Sequence, residues 1–84
     1  MIEMSSDTMR TVRDIVQKQI GSKAASLSNE SALYSSGLID SMAIVQLIVD
    51  LESQFKISLP GGEIQPDDLD SISKIAATVV RFAK

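Results

Sequence analysis

The chain has 84 residues, no cysteine and a formal net charge of −3 at pH 7. This length allows one domain, and a chain without cysteine has neither disulfides nor thiolate metal sites, so packing alone must hold it together. Apolar residues make up 44% of the chain and aromatic residues 4%, which favours an aliphatic core. No apolar run is long enough to span a membrane, and the first ten residues lack the apolar segment of a signal peptide. We therefore expect a cytoplasmic protein without membrane insertion.

The charges are distributed unevenly along the chain. Between Ala24 and Ser73 there is a single basic residue, Lys56, against eight acidic residues. The acidic residues are Glu30, Asp40, Asp50, Glu52, Glu63, Asp67, Asp68 and Asp70. This acidic middle argues against nucleic acid as a partner, because phosphates would be repelled, and favours proteins with basic patches. Most of these side chains, taken singly, are expected only to keep the surface hydrated.

The apolar spacing predicts helices and no strand. A first helix is predicted to begin near residues 5–7, which could cap it, and to end at Gly21. Its core stripe consists of Met9, Val12, Val16 and Ile20. The serine-rich segment 21–36 is predicted to be a long connection that Leu33 and Tyr34 attach to the core.

The second helix, predicted over SMAIVQLIVDLESQF (41–55), has apolar residues on two faces. The face expected to enter the core consists of Ile44, Leu47, Ile48, Leu51 and Phe55. Met42, Val45 and Val49 lie mostly on the opposite face, which we call the apolar strip. Either the connection or a short turn covers this strip, or it stays exposed as a surface for a partner.

The remainder of the chain completes a small bundle. The run ISLPGG (57–62) ends the second helix, and PDDL (66–69) predicts one short turn that opens with proline. A last helix begins at Ser71, with Phe82 beside its core stripe. That stripe consists of Ile72, Ile75, Ala76, Val79 and Ala83. Three main helices and one short piece predict an all-α, four-helix bundle that occupies 1–84 as one domain.

Asp40 and Ser41 stand at the start of the second helix. An aspartate in this position can accept hydrogen bonds from the free N–H groups of the first turn. A serine in the first turn lies near the positive end of the helix dipole, where an attached phosphate is favoured. A catalytic serine needs an adjacent base, usually histidine, and the chain has no histidine. We therefore expect Ser41 to be modified by another enzyme and not to catalyse a reaction itself.

The run GLIDSMAIVQLIVDLESQFKISLP (37–60) resembles the acyl and peptidyl carrier proteins. The residues that carry the resemblance are Gly37, Asp40, Ser41, Met42, the helix to Phe55, and then Ile57, Leu59 and Pro60. It implies an acyl-carrier-like bundle in which Ser41 receives 4′-phosphopantetheine from coenzyme A, transferred by a phosphopantetheinyl transferase. Asp40 would help to hold the magnesium ion during that transfer. The thiol of the arm would then carry an acyl or aminoacyl group as a thioester.

The resemblance also implies that the helix from Ser41 is the surface that partner enzymes recognise. The residues expected to contact partners are Met42, Val45, Gln46, Val49, Asp50 and Glu52. Carriers of bacterial fatty-acid synthesis usually have Leu-Asp after the serine and a glutamate further along, where this chain has Met42, Ala43 and Gln46. The recognition face is therefore less acidic, and apolar contacts must contribute more to binding.

The same run is more similar to the D-alanyl carrier proteins and other stand-alone aminoacyl carriers. This similarity implies a monomeric carrier that an adenylate-forming acyl or aminoacyl ligase loads, and that delivers its group to a downstream acyltransferase or synthase. A second hypothesis from the residues is an unmodified helical interaction module, which would bind a partner helix through the apolar strip. In either case the protein is not an enzyme.

Overall fold

The computed structural model describes residues 5–21 and 27–83, which form three α-helices and two short 3-10 turns and contain no strand. The helices are α1 (Ser6–Ile20), α2 (Ser41–Phe55) and α3 (Ile72–Phe82), and the 3-10 turns are Gly61–Glu63 and Pro66–Leu69. The predicted all-α bundle with three main helices is confirmed. The short fourth piece at 66–69 is a 3-10 turn, and the turn predicted at ISLPGG (57–62) contains the start of the other one, Gly61–Glu63. No helix in the described ranges is long and apolar enough to cross a membrane.

The helix ends follow the predicted capping chemistry. Ser5 caps α1 by accepting a hydrogen bond from the Thr8 N–H at 3.2 Å, and Gly21 ends the helix with a φ of +64°. Ser71 caps α3 in the same way by accepting from the Lys74 N–H at 3.1 Å. Helix α2 ends differently, because Lys56 has a left-handed backbone with a φ of +56°, a conformation that residues other than glycine adopt at some cost.

One aliphatic core joins the three helices and the segments between them. It consists of Val12, Ile15, Val16, Leu33, Ile39, Ile44, Leu47, Leu51, Leu59, Ile64, Leu69, Ile72, Ile75, Ala76 and Val79. Several residues predicted for the core are only partly buried at its margin, namely Met9, Ile20, Ile48, Phe55, Phe82 and Ala83. Five further core residues were not predicted from the spacing, namely Ile15, Ile39, Leu59, Ile64 and Leu69.

The connection between α1 and α2 is attached to the bundle by other contacts than those predicted. This holds for residues 27–40, since residues 22–26 lie outside the described part. Leu33 is fully buried, as expected, but the prediction for Tyr34 was wrong, because 37% of its surface is exposed. The backbone attaches this segment instead: the Leu33 N–H donates to the Asp70 carbonyl at 2.7 Å. The second apolar contact comes from Ile39, whose side chain is buried just before the start of α2.

The apolar strip of α2 is exposed. Met42 is 79% exposed, Val45 62% and Val49 51%, so no described segment covers these side chains. The core-facing side of the same helix is narrow and buries Ile44, Leu47 and Leu51. Of the two alternatives, the structure therefore supports an open face.

We expect the two faces of α2 to respond differently to truncation. Leu47→Ala should lower the free energy of unfolding by about 2–5 kcal/mol, because it leaves a cavity in a packed core. Met42→Ala should change the free energy of unfolding by less than about 0.5 kcal/mol, since its side chain makes few contacts. Urea unfolding of both variants tests this expectation. Equal losses of stability would show that the strip is buried in solution.

Candidate functional site

Ser41 is the first residue of α2, and its side chain is exposed. The capping task belongs to Asp40, whose Oδ1 accepts the Ala43 N–H at 2.9 Å while its carbonyl accepts the Ile44 N–H at 2.9 Å. Within the described residues the Ser41 hydroxyl makes no hydrogen bond. The hydroxyl is therefore accessible at the surface.

The electrostatic setting of this hydroxyl suits an attached phosphate. The first turn of α2 contains no acidic side chain beyond the Asp40 cap, whose carboxylate accepts the Ala43 N–H and offsets part of the positive potential of the helix end. A phosphoryl group on Ser41 Oγ would lie where helix N-termini favour anions. An exposed hydroxyl, this potential and the adjacent apolar strip together fit a phosphate-linked arm.

The chain contains a second Asp-Ser pair, Asp70-Ser71, which tests whether the dipeptide alone defines the site. Here the serine itself is the cap of α3 and accepts the Lys74 N–H, so only 4% of Ser71 is exposed. Asp40 is the cap of α2 and Ser41 its first residue, whereas in the second pair Ser71 is the cap and Asp70 lies before it. The same two residues thus give one exposed hydroxyl, on Ser41, and one that is buried and engaged.

The polar residues expected to contact partners are already engaged within the protein. The two carboxylate oxygens of Asp50 accept hydrogen bonds from the Gln46 side chain at 3.0 Å and from the Gln19 side chain of α1 at 3.4 Å. Glu52 is half-buried, and its Oε2 accepts the Leu59 N–H at 2.8 Å, which holds the segment that follows α2. The structure therefore groups Met42, Val45 and Val49 on an open face, and places Gln46, Asp50 and Glu52 in internal hydrogen bonds.

Asp70 is a residue that sequence reasoning treated only as part of the acidic surface. Its Oδ1 accepts three backbone N–H groups, from Leu33 at 3.1 Å, Tyr34 at 2.7 Å and Ser35 at 2.8 Å. Its Oδ2 accepts the Ser35 hydroxyl at 2.8 Å. We call these four contacts the Asp70 clamp. The signal available in the sequence was an aspartate directly before a capping serine, together with a connection that offers few apolar contacts.

The clamped turn leads directly to the start of α2. The Leu33 carbonyl accepts the Ile39 N–H at 3.1 Å, and Ile39 immediately precedes Asp40. Between them the chain reverses at Gly37, whose φ of +87° is a conformation that glycine adopts without strain. The clamp and the exposed hydroxyl are therefore connected through one short hydrogen-bonded segment.

Comparison with known proteins identifies the family. The sequence model of the protein family described as "Phosphopantetheine attachment site" matches residues 10–79. The chain belongs to this family. Its members carry covalently attached 4′-phosphopantetheine, so the predicted class, a carrier protein that serves as a substrate of enzymes, is confirmed.

The relatives of this carrier include D-alanyl carrier proteins. One from Streptococcus suis (strain 98HAH33) is 35% identical over 76 residues, which cover 90% of this chain and 95% of that protein. Another, from Lactococcus lactis subsp. lactis (strain IL1403), is 38% identical over 66 residues, covering 79% and 84%. The predicted resemblance to D-alanyl carriers is thereby confirmed.

A solved structure supports the acyl-carrier-like fold of this carrier. A chain in the crystal structure of an engineered Bradyrhizobium japonicum glycine:[carrier protein] ligase, complexed with a carrier protein from Agrobacterium tumefaciens and ATP, matches with a TM-score of 0.76. The identity is 30%, and the match covers 88% of this chain and 97% of that chain. In that crystal a carrier protein is bound to a ligase.

The hydrogen bonds of the clamp affect the ionisation of Asp70. Partial burial acts to raise the pKa of this carboxyl, but the hydrogen bonds from Ser35, Tyr34 and Leu33 outweigh it and hold the pKa below its ordinary value. The folded state thus favours the charged form more than the unfolded chain does. The resulting stabilisation is present above the unfolded pKa of about 4 and is lost as the pH falls through the folded pKa.

We therefore expect the effect of Asp70→Asn to depend on pH. At pH 7 the variant should be less stable than the wild type by roughly 1 kcal/mol, a modest figure because the carboxylate is half-exposed. The difference should shrink as the pH falls below about 4, since the wild-type carboxylate then becomes neutral as well. Urea unfolding of both proteins between pH 7 and pH 3 measures it. A difference that stays constant over this range would contradict a charged clamp.

Proposed function

We propose that this protein is a stand-alone carrier that holds an aminoacyl or other acyl group as a thioester on a 4′-phosphopantetheine arm attached to Ser41. The observation that carries the proposal is the exposed Ser41 hydroxyl, which has no hydrogen bond within the described residues and lies at the positive end of α2. The family match and the D-alanyl carrier relatives support it.

Ser41 and Asp40 would have separate tasks during attachment. The Ser41 oxygen would form a bond to the phosphorus of the pantetheine phosphate and pass its proton to a base of the transferase, while the pyrophosphate bond breaks and the nucleotide part of coenzyme A departs as adenosine 3′,5′-bisphosphate. Asp40 Oδ1 is engaged in the cap, whereas its Oδ2 makes no hydrogen bond within the described residues and can bind a magnesium ion. When bound, the arm supplies the thiol that a chain without cysteine lacks.

The proposed partners follow from the exposed surface and the relatives. A phosphopantetheinyl transferase attaches the arm, an adenylate-forming ligase loads an amino acid or another acid, and an acyltransferase or synthase receives it. The ligase complex of the similar structure supports the second of these partners. We propose that the protein works as a monomer in the cytoplasm, where coenzyme A is available.

The alternative function is an unmodified interaction module that uses the same apolar strip. The exposure of Met42, Val45 and Val49 is compatible with both functions. Only the carrier requires a reactive hydroxyl beside the strip, and the cap provided by Asp40 leaves that hydroxyl free. The carrier is therefore the function that the site supports best.

Incubation with coenzyme A and a promiscuous phosphopantetheinyl transferase, followed by intact-mass measurement, tests the proposal. We expect the mass to increase by one phosphopantetheine group and no more. Ser41→Ala should abolish the increase while the buried Asp70-Ser71 pair remains as an internal control. An unchanged wild-type mass would favour the interaction module, and a modified Ser41→Ala variant would place the arm elsewhere.

Truncation of the apolar strip should weaken loading by an aminoacyl carrier ligase. Met42→Ala and Val49→Ala should each lower kcat/KM for loading of the arm-bearing protein roughly tenfold, because central apolar contacts of an interface often contribute more than 1 kcal/mol. Gln54→Ala is the matched control, since Gln54 is exposed on α2 but lies away from the strip. If all three variants load at the wild-type rate, the strip does not bind the ligase.

A further inference from the structure

The Asp70 clamp lies outside the proposed attachment site, yet it holds the segment that leads to it. We infer that Asp70 is a positioning residue for the modification of Ser41, because it fixes the turn through which the start of α2 is presented to the transferase. The inference rests on the proposed function and adds to it a residue that lies 29 positions further along the chain than Ser41.

The clamp is stronger than an ordinary turn contact. One ionised carboxylate accepts the N–H groups of three consecutive residues, Leu33, Tyr34 and Ser35, and also the Ser35 hydroxyl. Hydrogen bonds to a charged acceptor are roughly twice as strong as those between neutral groups. The Leu33 N–H is shared between two acceptors, because the Asp70 carbonyl also accepts it, at the shorter distance of 2.7 Å, and this bond does not depend on the side chain. Backbone and side chain of one residue therefore hold the whole turn.

The position of the turn is passed on to the reactive hydroxyl by a continuous path. Leu33 accepts the Ile39 N–H through its carbonyl, and the side chains of both residues are buried in the core. Asp40 follows Ile39 and caps the helix on which Ser41 is the first residue. Release of the clamp would loosen the first of these contacts and widen the range of positions that Asp40 and Ser41 can occupy.

Such loosening matters for a transfer reaction, because the acceptor oxygen and the phosphorus must meet in a narrow geometry. Small displacements of reacting groups can lower rates by up to about a hundredfold. An effect on the whole fold would also slow the reaction, so the test needs a variant that removes a carboxylate tether elsewhere.

The chain offers such a control. Glu30 accepts the hydroxyl of Ser73 at 2.5 Å, and the Ser73 N–H donates to the Asn29 carbonyl at 2.9 Å. This second tether also ties the connection to the start of α3 through a carboxylate. It has no hydrogen bond to the 33–39 segment in the described residues, so Glu30→Ala removes a tether without releasing the turn.

The experiment compares Asp70→Ala, Asp70→Asn, Glu30→Ala and the wild type in arm transfer from coenzyme A, at a temperature where circular dichroism shows each to be folded. We expect Asp70→Ala to lower kcat/KM for transfer about tenfold. Asp70→Asn, which keeps one oxygen acceptor for the N–H groups, should recover most of the rate, and Glu30→Ala should equal the wild type. Amide hydrogen exchange should show that Ile39 loses protection in Asp70→Ala alone, while core amides of α3 stay protected.

Wild-type transfer by Asp70→Ala, or equal slowing by Glu30→Ala, would overturn the inference. If Asp70→Ala does not fold, Ser35→Ala decides instead, because it removes one of the four clamp bonds: slower transfer supports the inference and an unchanged rate contradicts it. If the wild type accepts no arm, the carrier proposal fails. Hydrogen exchange of the Ile39 amide then tests only whether the clamp positions the start of α2. If this amide stays protected in Asp70→Ala, the clamp does not position it.

Discussion

The burial of one narrow stripe of helix α2 is the constraint on which the other features depend. Ile44, Leu47 and Leu51 hold the helix in the core, and residues 5–21 and 27–83 provide no further element that covers its other side. The first turn and the apolar strip are open for the same reason. Core packing thus produces both the stable position of the helix and the accessibility of its first turn.

The protein provides a position and a surface instead of reactive groups. It has no cysteine and no histidine, so the nucleophile of its chemistry must be attached from outside. The acidic side chains of α2 take little part in an open charged surface, because Asp50 joins α2 to α1 and Glu52 holds the segment after the helix. We therefore propose that partners recognise this helix more by shape and apolar contact than the net charge of the chain suggests.

The parts that sequence could predict are those decided by neighbours along the chain. Helical periodicity and capping residues located α2, α3 and the start of α1, and the exposed hydroxyl followed from Asp40 as a cap. The errors arose where distant segments meet. Tyr34 is exposed because backbone hydrogen bonds to Asp70 replace an aromatic contact, and no local pattern reveals that partner. The two Asp-Ser pairs also cannot be told apart from the dipeptide alone. The aspartate caps the helix in the first pair and the serine caps it in the second.

The unusual end of α2 gives its exposed face a direction. An apolar strip alone does not fix the orientation of a partner along the helix. Only one orientation would bring the attached arm to the active site of an enzyme. Lys56, the single cation of the acidic middle, stands exposed at the left-handed end of the helix, and Asp40 stands exposed at the other. The two ends of the exposed face therefore differ in charge, and a partner with the complementary pair of charges would be matched in one orientation and opposed in the reverse one.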